Sequence, residues 1–134
     1  MRLTQKQLDA FTGRARQVKR RVPTEGEVQS AILSLLWRHP KVAYAGRYNS
    51  GRFQDSTGAV YKFVRLKAGL AHPDILGLLG TGKMFALECK RPGWKSPHNE
   101  REKAQERFLG VIRDGGGIGA FVTSVDEVVG VLGL

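Results

Sequence analysis

The segment from Pro73 to Lys90 holds two short apolar runs, Ile-Leu-Gly-Leu-Leu and Met-Phe-Ala-Leu, divided by Gly80-Thr81-Gly82. Apolar runs of this length bounded by glycine read as strands, so the segment is predicted to form a hairpin over about 74–79 and 83–90. Strand alternation puts Glu88 and Lys90 on one face and Phe85, Leu87 and Cys89 on the other. The position of Asp74 depends on the loop. A three-residue Gly80-Thr81-Gly82 loop sets Leu79 against Lys83 and Asp74 against Glu88. A two-residue Thr81-Gly82 loop pairs Asp74 with Cys89 and leaves Glu88 on the far face.

In the first register two carboxylates and a lysine meet at the end of a hairpin. Neighbouring carboxylates repel, which makes a bound cation favourable. Oxygen ligands alone select Mg²⁺ or Mn²⁺ over zinc. Such an ion polarises a phosphodiester and lowers the pKa of a bound water, and Lys90 can orient that water or neutralise charge developing on the phosphorane. An Asp…Glu-x-Lys pattern is weak by itself, because exposed Glu-x-Lys pairs are common on strands.

Charge narrows the partner. Twenty-two Lys and Arg face twelve Asp and Glu, a formal charge of +10 over 134 residues. That surplus suits a polyanion. An anionic membrane surface would need a basic amphipathic helix with a strong apolar face, and the basic segment is poor in aliphatic residues, so nucleic acid is favoured. No apolar run is long enough to cross a bilayer, and no apolar stretch follows the N-terminal basic residues as in a secretory leader. The single cysteine, Cys89, excludes an internal disulfide and fits a reducing cytoplasm.

The chain divides into a basic arm, residues 1–23, and one domain, residues 24–134. In the arm Arg2, Lys6, Arg14, Arg16, Lys19, Arg20 and Arg21 stand against Asp9 alone. It reads either as a solvated leader or as an electrostatic arm tracking phosphates. Thr24-Glu25-Gly26-Glu27 fits a capping box opening a helix that stops near His39-Pro40, with Val28, Ala31, Ile32, Leu35 and Leu36 as its apolar face. Residues 41–70 are strand-rich, with turns at Asn49-Ser50-Gly51 and Ser56-Thr57-Gly58. A second helix is expected from about His98 to Arg113, its core face being Ala104, Phe108, Val111 and Ile112. Gly115-Gly116-Gly117 ends it, Gly119–Thr123 is a short strand, and Ser124 caps a last helix. The order α-β-β-β-α-β-α is that of an α/β fold, a mixed central β-sheet flanked by helices.

The helices bring further polar groups. Glu25 lies nearer the apolar face of its helix than Glu27 does, so it is either a dipole-stabilised surface charge or a third acid facing the sheet, with Gln29 one turn further along. Gln105 falls within the arc of Ala104, Phe108 and Ile112, and a buried amide needs partners. Arg47, Arg52, Arg65 and Lys67 flank the predicted turns. With Asn49, Ser50, Arg91 and Lys95 they are the candidate nucleic-acid contacts. Trp94 either stacks on DNA or packs on the sheet. His39, His72 and His98 lack zinc-ligand spacing with Cys89, though His72 borders the Pro73-Asp74 turn.

Taken in order, Glu25-x-x-x-Gln29, Asn49-Ser50-Gly51, Gly69-x-x-x-Pro73-Asp74, Glu88-x-Lys90-Arg91-Pro92-Gly93 and Gln105-x-x-Phe108 resemble the VRR-NUC branch of the PD-(D/E)XK nucleases. The resemblance runs from about Glu25 to Val129 and omits the arm. It implies a restriction-endonuclease-like core and metal-dependent phosphodiester hydrolysis leaving 5′-phosphate and 3′-hydroxyl ends. By resemblance Asp74 and Glu88 are metal ligands, Lys90 the catalytic lysine, Glu25 the helical acid completing the site, and Gln105 the glutamine beside it. Cys89 departs from the valine usual at that position. Its face is apolar, where a small buried cysteine substitutes readily.

Small stand-alone members of that branch are similar to Holliday-junction resolvases, tend to be dimeric and are often of phage origin. The expectation is therefore a Mg²⁺- or Mn²⁺-dependent homodimeric endonuclease for branched DNA, since a junction presents two symmetric strands to a two-fold enzyme. Apolar residues of the last helix, Val128 to Leu134, are candidates for the dimer interface. A helicase or another replication or repair protein is a candidate partner. The rival readings are a DNA-binding protein that keeps the fold without catalysis, and an RNA-directed nuclease. The chain lacks the aromatic strand motifs of common single-stranded RNA modules.

Overall fold

The computed structural model describes residues 2, 4–7, 21–48, 52–62 and 66–134. Most of the basic arm, together with Asn49, Ser50 and Arg65, lies outside the described residues. The elements run α1 (Glu25–Arg38), β1 (Val42–Arg47), β2 (Arg52–Gln54), β3 (Val60–Lys62), β4 (Ile75–Leu79), β5 (Met84–Cys89), α2 (Glu100–Asp114), β6 (Ile118–Val122) and α3 (Val125–Leu132). β2 and β3 pair with each other, and the remaining strands form a four-stranded sheet ordered β1-β4-β5-β6. β1, β4 and β5 are antiparallel and β6 runs parallel to β5. Without the small β2–β3 ribbon, the order is the expected α-β-β-β-α-β-α around a mixed sheet.

The helix boundaries follow from local chemistry. Thr24 caps α1, its hydroxyl accepting from the Glu27 amide at 3.2 Å, while the Glu27 carboxylate takes the Thr24 hydroxyl at 3.1 Å and Arg21 at 2.7 Å. A cap of this kind contributes about 1 kcal/mol. The Arg21 pair is exposed and adds little. The Arg21 and Thr24 hydrogen bonds hold the Glu27 carboxyl below the usual carboxylate range. α1 stops at His39, ahead of Pro40, whose ring disfavours helical geometry in the residue before it. Asn99 and Ser124 cap α2 and α3 in the same way as Thr24.

The sheet separates two apolar layers. On one side α1 and α3 bring Ile32, Leu36, Val128 and Leu132 onto Ile75, Phe85, Leu87, Cys89 and Val122. On the other, α2 brings Phe108 and Leu109 onto Ala86, with Leu66, Leu70, Leu76 and Phe121 around them. The buried face of α1 is Val28, Gln29, Ile32, Leu33 and Leu36, so Leu33 takes the place expected for Ala31, which is exposed. In α2 the buried side is Glu102, Gln105, Phe108 and Leu109, leaving Val111 52% exposed. In α2 the cause is polar partners on the inner face: Gln105 bonds Lys90 and Glu88, and Glu102 accepts from Trp94. Of the residues from Val128 to Leu134, Val128 and Leu132 are in the core, Val129 and Leu134 are half-buried and Val131 is 39% exposed.

α2 lies against β6 at a distance only glycine permits. A Cβ on Gly119 would stand 2.4 Å from the Leu109 carbonyl oxygen and 3.0 Å from its Cα. These are backbone atoms and cannot rotate away. Gly119→Ala is therefore expected to destabilise the protein by about 2–3 kcal/mol through overpacking, read as a lower urea midpoint at unchanged slope. A wild-type midpoint would show that α2 can move off the sheet freely.

Candidate active site

The hairpin has the odd-length loop. Leu78 pairs with Met84 and Ile75 with Leu87. The Leu79 amide donates to the Lys83 carbonyl at 2.9 Å, with Gly82 in the left-handed region at φ 90°. Continued by one residue, this register sets Asp74 opposite Glu88. Asp74 stands just before β4, where its carbonyl accepts from the Tyr48 amide at 2.8 Å. Its carboxylate Oδ2 accepts from the Cys89 amide, also at 2.8 Å. That bond pins Asp74 across the end of the sheet beside Glu88.

Glu88 and Lys90 are both buried, at 3% and 6% exposure. They share the α2 side, while Phe85, Leu87 and Cys89 belong to the opposite layer, as alternation requires. Gln105 joins them. Lys90 Nζ donates to Gln105 Oε1 at 3.0 Å, and Gln105 Nε2 donates to Glu88 Oε1 at 2.8 Å. This chain fixes the amide orientation, because an ammonium can only donate and Glu88 Oε1 accepts. The second carboxyl oxygen, Glu88 Oε2, is buried and has no hydrogen-bond partner among the described residues.

Electrostatics marks the same pair. Burial, with the Asp74 charge added, pushes the Glu88 carboxyl up to about 9. Without a cation it is therefore protonated at neutral pH. Burial likewise pushes the Cys89 thiol well above its usual range, assisted by the charges of Asp74, Glu88 and Glu25. Cys89 is a packing residue and not a thiolate ligand or nucleophile. A buried carboxyl oxygen beside a second carboxylate fits a hard divalent cation. Water and phosphate oxygens would supply the remaining ligands.

Glu25 is exposed at the start of α1, which packs on the Cys89 side of the sheet. Among the described residues no three His, Cys, Asp or Glu side chains converge as a metal-holding group. The influence of Glu25 is an electrostatic one, felt at the Cys89 thiol. Gln29, one turn on, is buried, and its Nε2 has no partner among the described residues.

Glu102, which the sequence does not single out, is the acid nearest Lys90. It is 6% exposed, and its Oε2 stands 3.3 Å from Lys90 Nζ and accepts from Trp94 Nε1 at 2.6 Å. Its Oε1 meets His98 Nδ1 at 2.8 Å and the His98 amide at 3.4 Å. Burial works against its charge, but hydrogen bonds from Trp94 and Lys90 prevail and hold its carboxyl below the usual range. One signal does exist in the sequence: Glu102 lies three residues before Gln105, one turn away on the same helix side. Asn99-x-x-Glu102 reads instead as an ordinary capping pair, and Asn99 does accept from the Glu102 amide at 2.8 Å.

Trp94 is settled by the same contacts. Its ring lies 4.4 Å from that of Phe121 on β6, so it packs on the sheet. Lys90 Nζ sits 5.9 Å from the Trp94 ring and 5.8 Å from that of Phe121. His72 borders the site, its ring 5.0 Å from that of Tyr48. Arg47, Lys67, Arg91 and Lys95 are not buried in the core, and Arg52 is described by its backbone in β2. No helix among the described residues is long and apolar enough to cross a membrane. No family model, curated protein or solved structure matches the chain.

Proposed function

We propose that this chain is a Mg²⁺- or Mn²⁺-dependent DNA endonuclease with a restriction-endonuclease-like core of the VRR-NUC type, acting on branched or structured DNA as a homodimer. The observation that carries the reading is the register setting Asp74 opposite Glu88, with Lys90 on the same face and joined to Glu88 through Gln105. Asp74 and Glu88 would hold the ion, which when bound supplies Lewis-acid polarisation of the phosphodiester and a water of lowered pKa. Lys90 offers its ammonium to the non-bridging oxygens as negative charge grows on phosphorus. Gln105 keeps Glu88 and Lys90 in fixed relation, so neither must reorganise during the reaction. The aromatic rings of Trp94 and Phe121 exclude water from one flank of Lys90, which strengthens its charge there.

Incubation with a labelled four-way junction, the matching duplex and an RNA of the same sequence tests this. Cleavage of the junction in Mg²⁺ or Mn²⁺, abolished by EDTA and leaving 5′-phosphate ends, is expected. Preference for the RNA would move the substrate class, and binding without cleavage in either metal would favour the non-catalytic reading.

The basic arm should act on affinity and not on chemistry. Deleting residues 1–20 removes Arg2, Lys6, Arg14, Arg16, Lys19 and Arg20. For every phosphate that the shortened chain no longer neutralises, the plot of log K against log salt should flatten by about 0.9. A slope unchanged by the deletion would mean that the arm is a solvated leader.

A further inference from the structure

Lys90 has two kinds of neighbour that can compensate its charge, and it uses the one the Asp…Glu-x-Lys pattern does not contain. Among the described residues Glu102 is the single carboxylate within ion-pair distance of Nζ, at 3.3 Å, and both side chains are about 8% exposed or less. Removing one partner of a buried ion pair leaves the other uncompensated, so Glu102 is the partner that fixes Lys90 inside the fold.

Geometry adds direction. An ammonium has three donors. One is taken by Gln105 Oε1 at 3.0 Å and one faces Glu102 Oε2. Trp94 and Phe121 flank Nζ at just under 6 Å and offer no acceptor atom there. The third donor is thereby the one left for a substrate oxygen. Glu102 in turn cannot swing, because Trp94 Nε1 and the His98 ring and amide occupy its oxygens and Asn99 caps its backbone.

We propose that Glu102 is the positioning residue for Lys90: with Gln105 it holds two of the three ammonium donors, so that the third is presented to a phosphate oxygen at the Asp74–Glu88 pair. This rests on the nuclease reading for its consequence in catalysis, but the positioning itself can be measured without cleavage.

The test uses the full chain, Glu102→Gln and two readouts. The first is the ¹⁵N–¹H signal of the Lys90 ammonium, assigned by its loss in Lys90→Met. A doubly held buried ammonium exchanges slowly and gives a resolved signal. In Glu102→Gln that signal should broaden or vanish while other lysine signals stay. The second is single-turnover and steady-state cleavage of the junction in Mg²⁺, where Glu102→Gln should lower kcat by about 10–100-fold with KM changed less than about threefold, as for outer groups that orient a reacting one. If Glu102→Gln does not fold, Glu102→Asp keeps the charge but withdraws the carboxylate, and the same signal should weaken. A folded Glu102 variant that retains the Lys90 signal, or wild-type kcat, overturns the proposal. A Glu102-dependent signal in a protein that cuts no nucleic acid would uphold the positioning and sink the nuclease reading, so the two failures are distinct.

Discussion

Asp74→Ala is expected to lower junction cleavage in Mg²⁺ by at least about 10³-fold while leaving junction affinity in Ca²⁺ within about threefold of wild type, and Lys90→Ala should do the same. The asymmetry between cleavage and binding is the informative part. Asp74 sits at the end of the sheet and bonds the Cys89 amide, so its loss removes half of a two-carboxylate site and leaves one backbone donor without a partner. That donor costs about 1–3 kcal/mol of stability, which circular dichroism at the assay temperature must show to be tolerated. Lys90→Ala removes one positive charge from a chain that carries many more, so affinity should barely move. Its damage falls on the step in which charge develops on phosphorus. Wild-type cleavage by either variant would remove that residue from the site.

The second large effect is on stability, and it follows from Glu88. Its carboxyl is raised from an ordinary 4.5 to about 9 in the folded chain. Between those values the folded state holds a proton that the unfolded state has lost. With fewer protons bound in the unfolded state, stability must fall as pH rises through this window, by up to about 1.4 kcal/mol per pH unit. The contribution is fully present below about 4.5 and lost as pH passes about 9. In EDTA the melting temperature should therefore drop steadily from pH 5 to pH 9. Glu88→Gln, which keeps the shape without the ionisation, should flatten the drop. Mg²⁺ or Mn²⁺ should restore stability most at the alkaline end, because the cation favours the ionised carboxyl. A wild-type profile as flat as that of Glu88→Gln would mean that Glu88 is not held neutral by the fold.

How far the site is legible in the sequence depends on what kind of information each residue carries. Alternation places Glu88 and Lys90 on one face and Phe85, Leu87 and Cys89 on the other, because the β period is two and the run is unbroken. The helix starts at Thr24 and Ser124 are legible from their caps, which are chemistry local to three or four residues. Asp74 is legible only up to a choice between two loops, and the geometry of three residues, Gly80 to Gly82, decides it. Helix rotation is harder. Ala31 and Val111 look buried by hydropathy but face outward, because Gln29, Glu102 and Gln105 have places on the inner faces of α1 and α2. The inward place of Gln105 can be anticipated from its apolar neighbours. That of Glu102 is signalled only by its place one turn before Gln105, since its partners Lys90 and Trp94 follow β5 in the chain, and a first-turn glutamate after Asn99 already has a sufficient local explanation.

The same distinction accounts for Glu25. By helical angle it leans toward the buried side, but angle says nothing about which layer the helix joins. α1 packs on the Cys89 side of the sheet, and the Glu25 charge helps to raise the Cys89 thiol.

The claim on which the rest depends is that Asp74 and Glu88 together hold one divalent cation. Titration of the full chain with Mn²⁺ at about pH 7.5, where a cation must displace the Glu88 proton, measures it directly through the loss of the free-ion paramagnetic resonance signal. One ion bound per chain, competed by Mg²⁺ and lost in both Asp74→Ala and Glu88→Gln, is the predicted result. Binding that is absent at millimolar Mn²⁺, or that persists unchanged in those two variants, would contradict it.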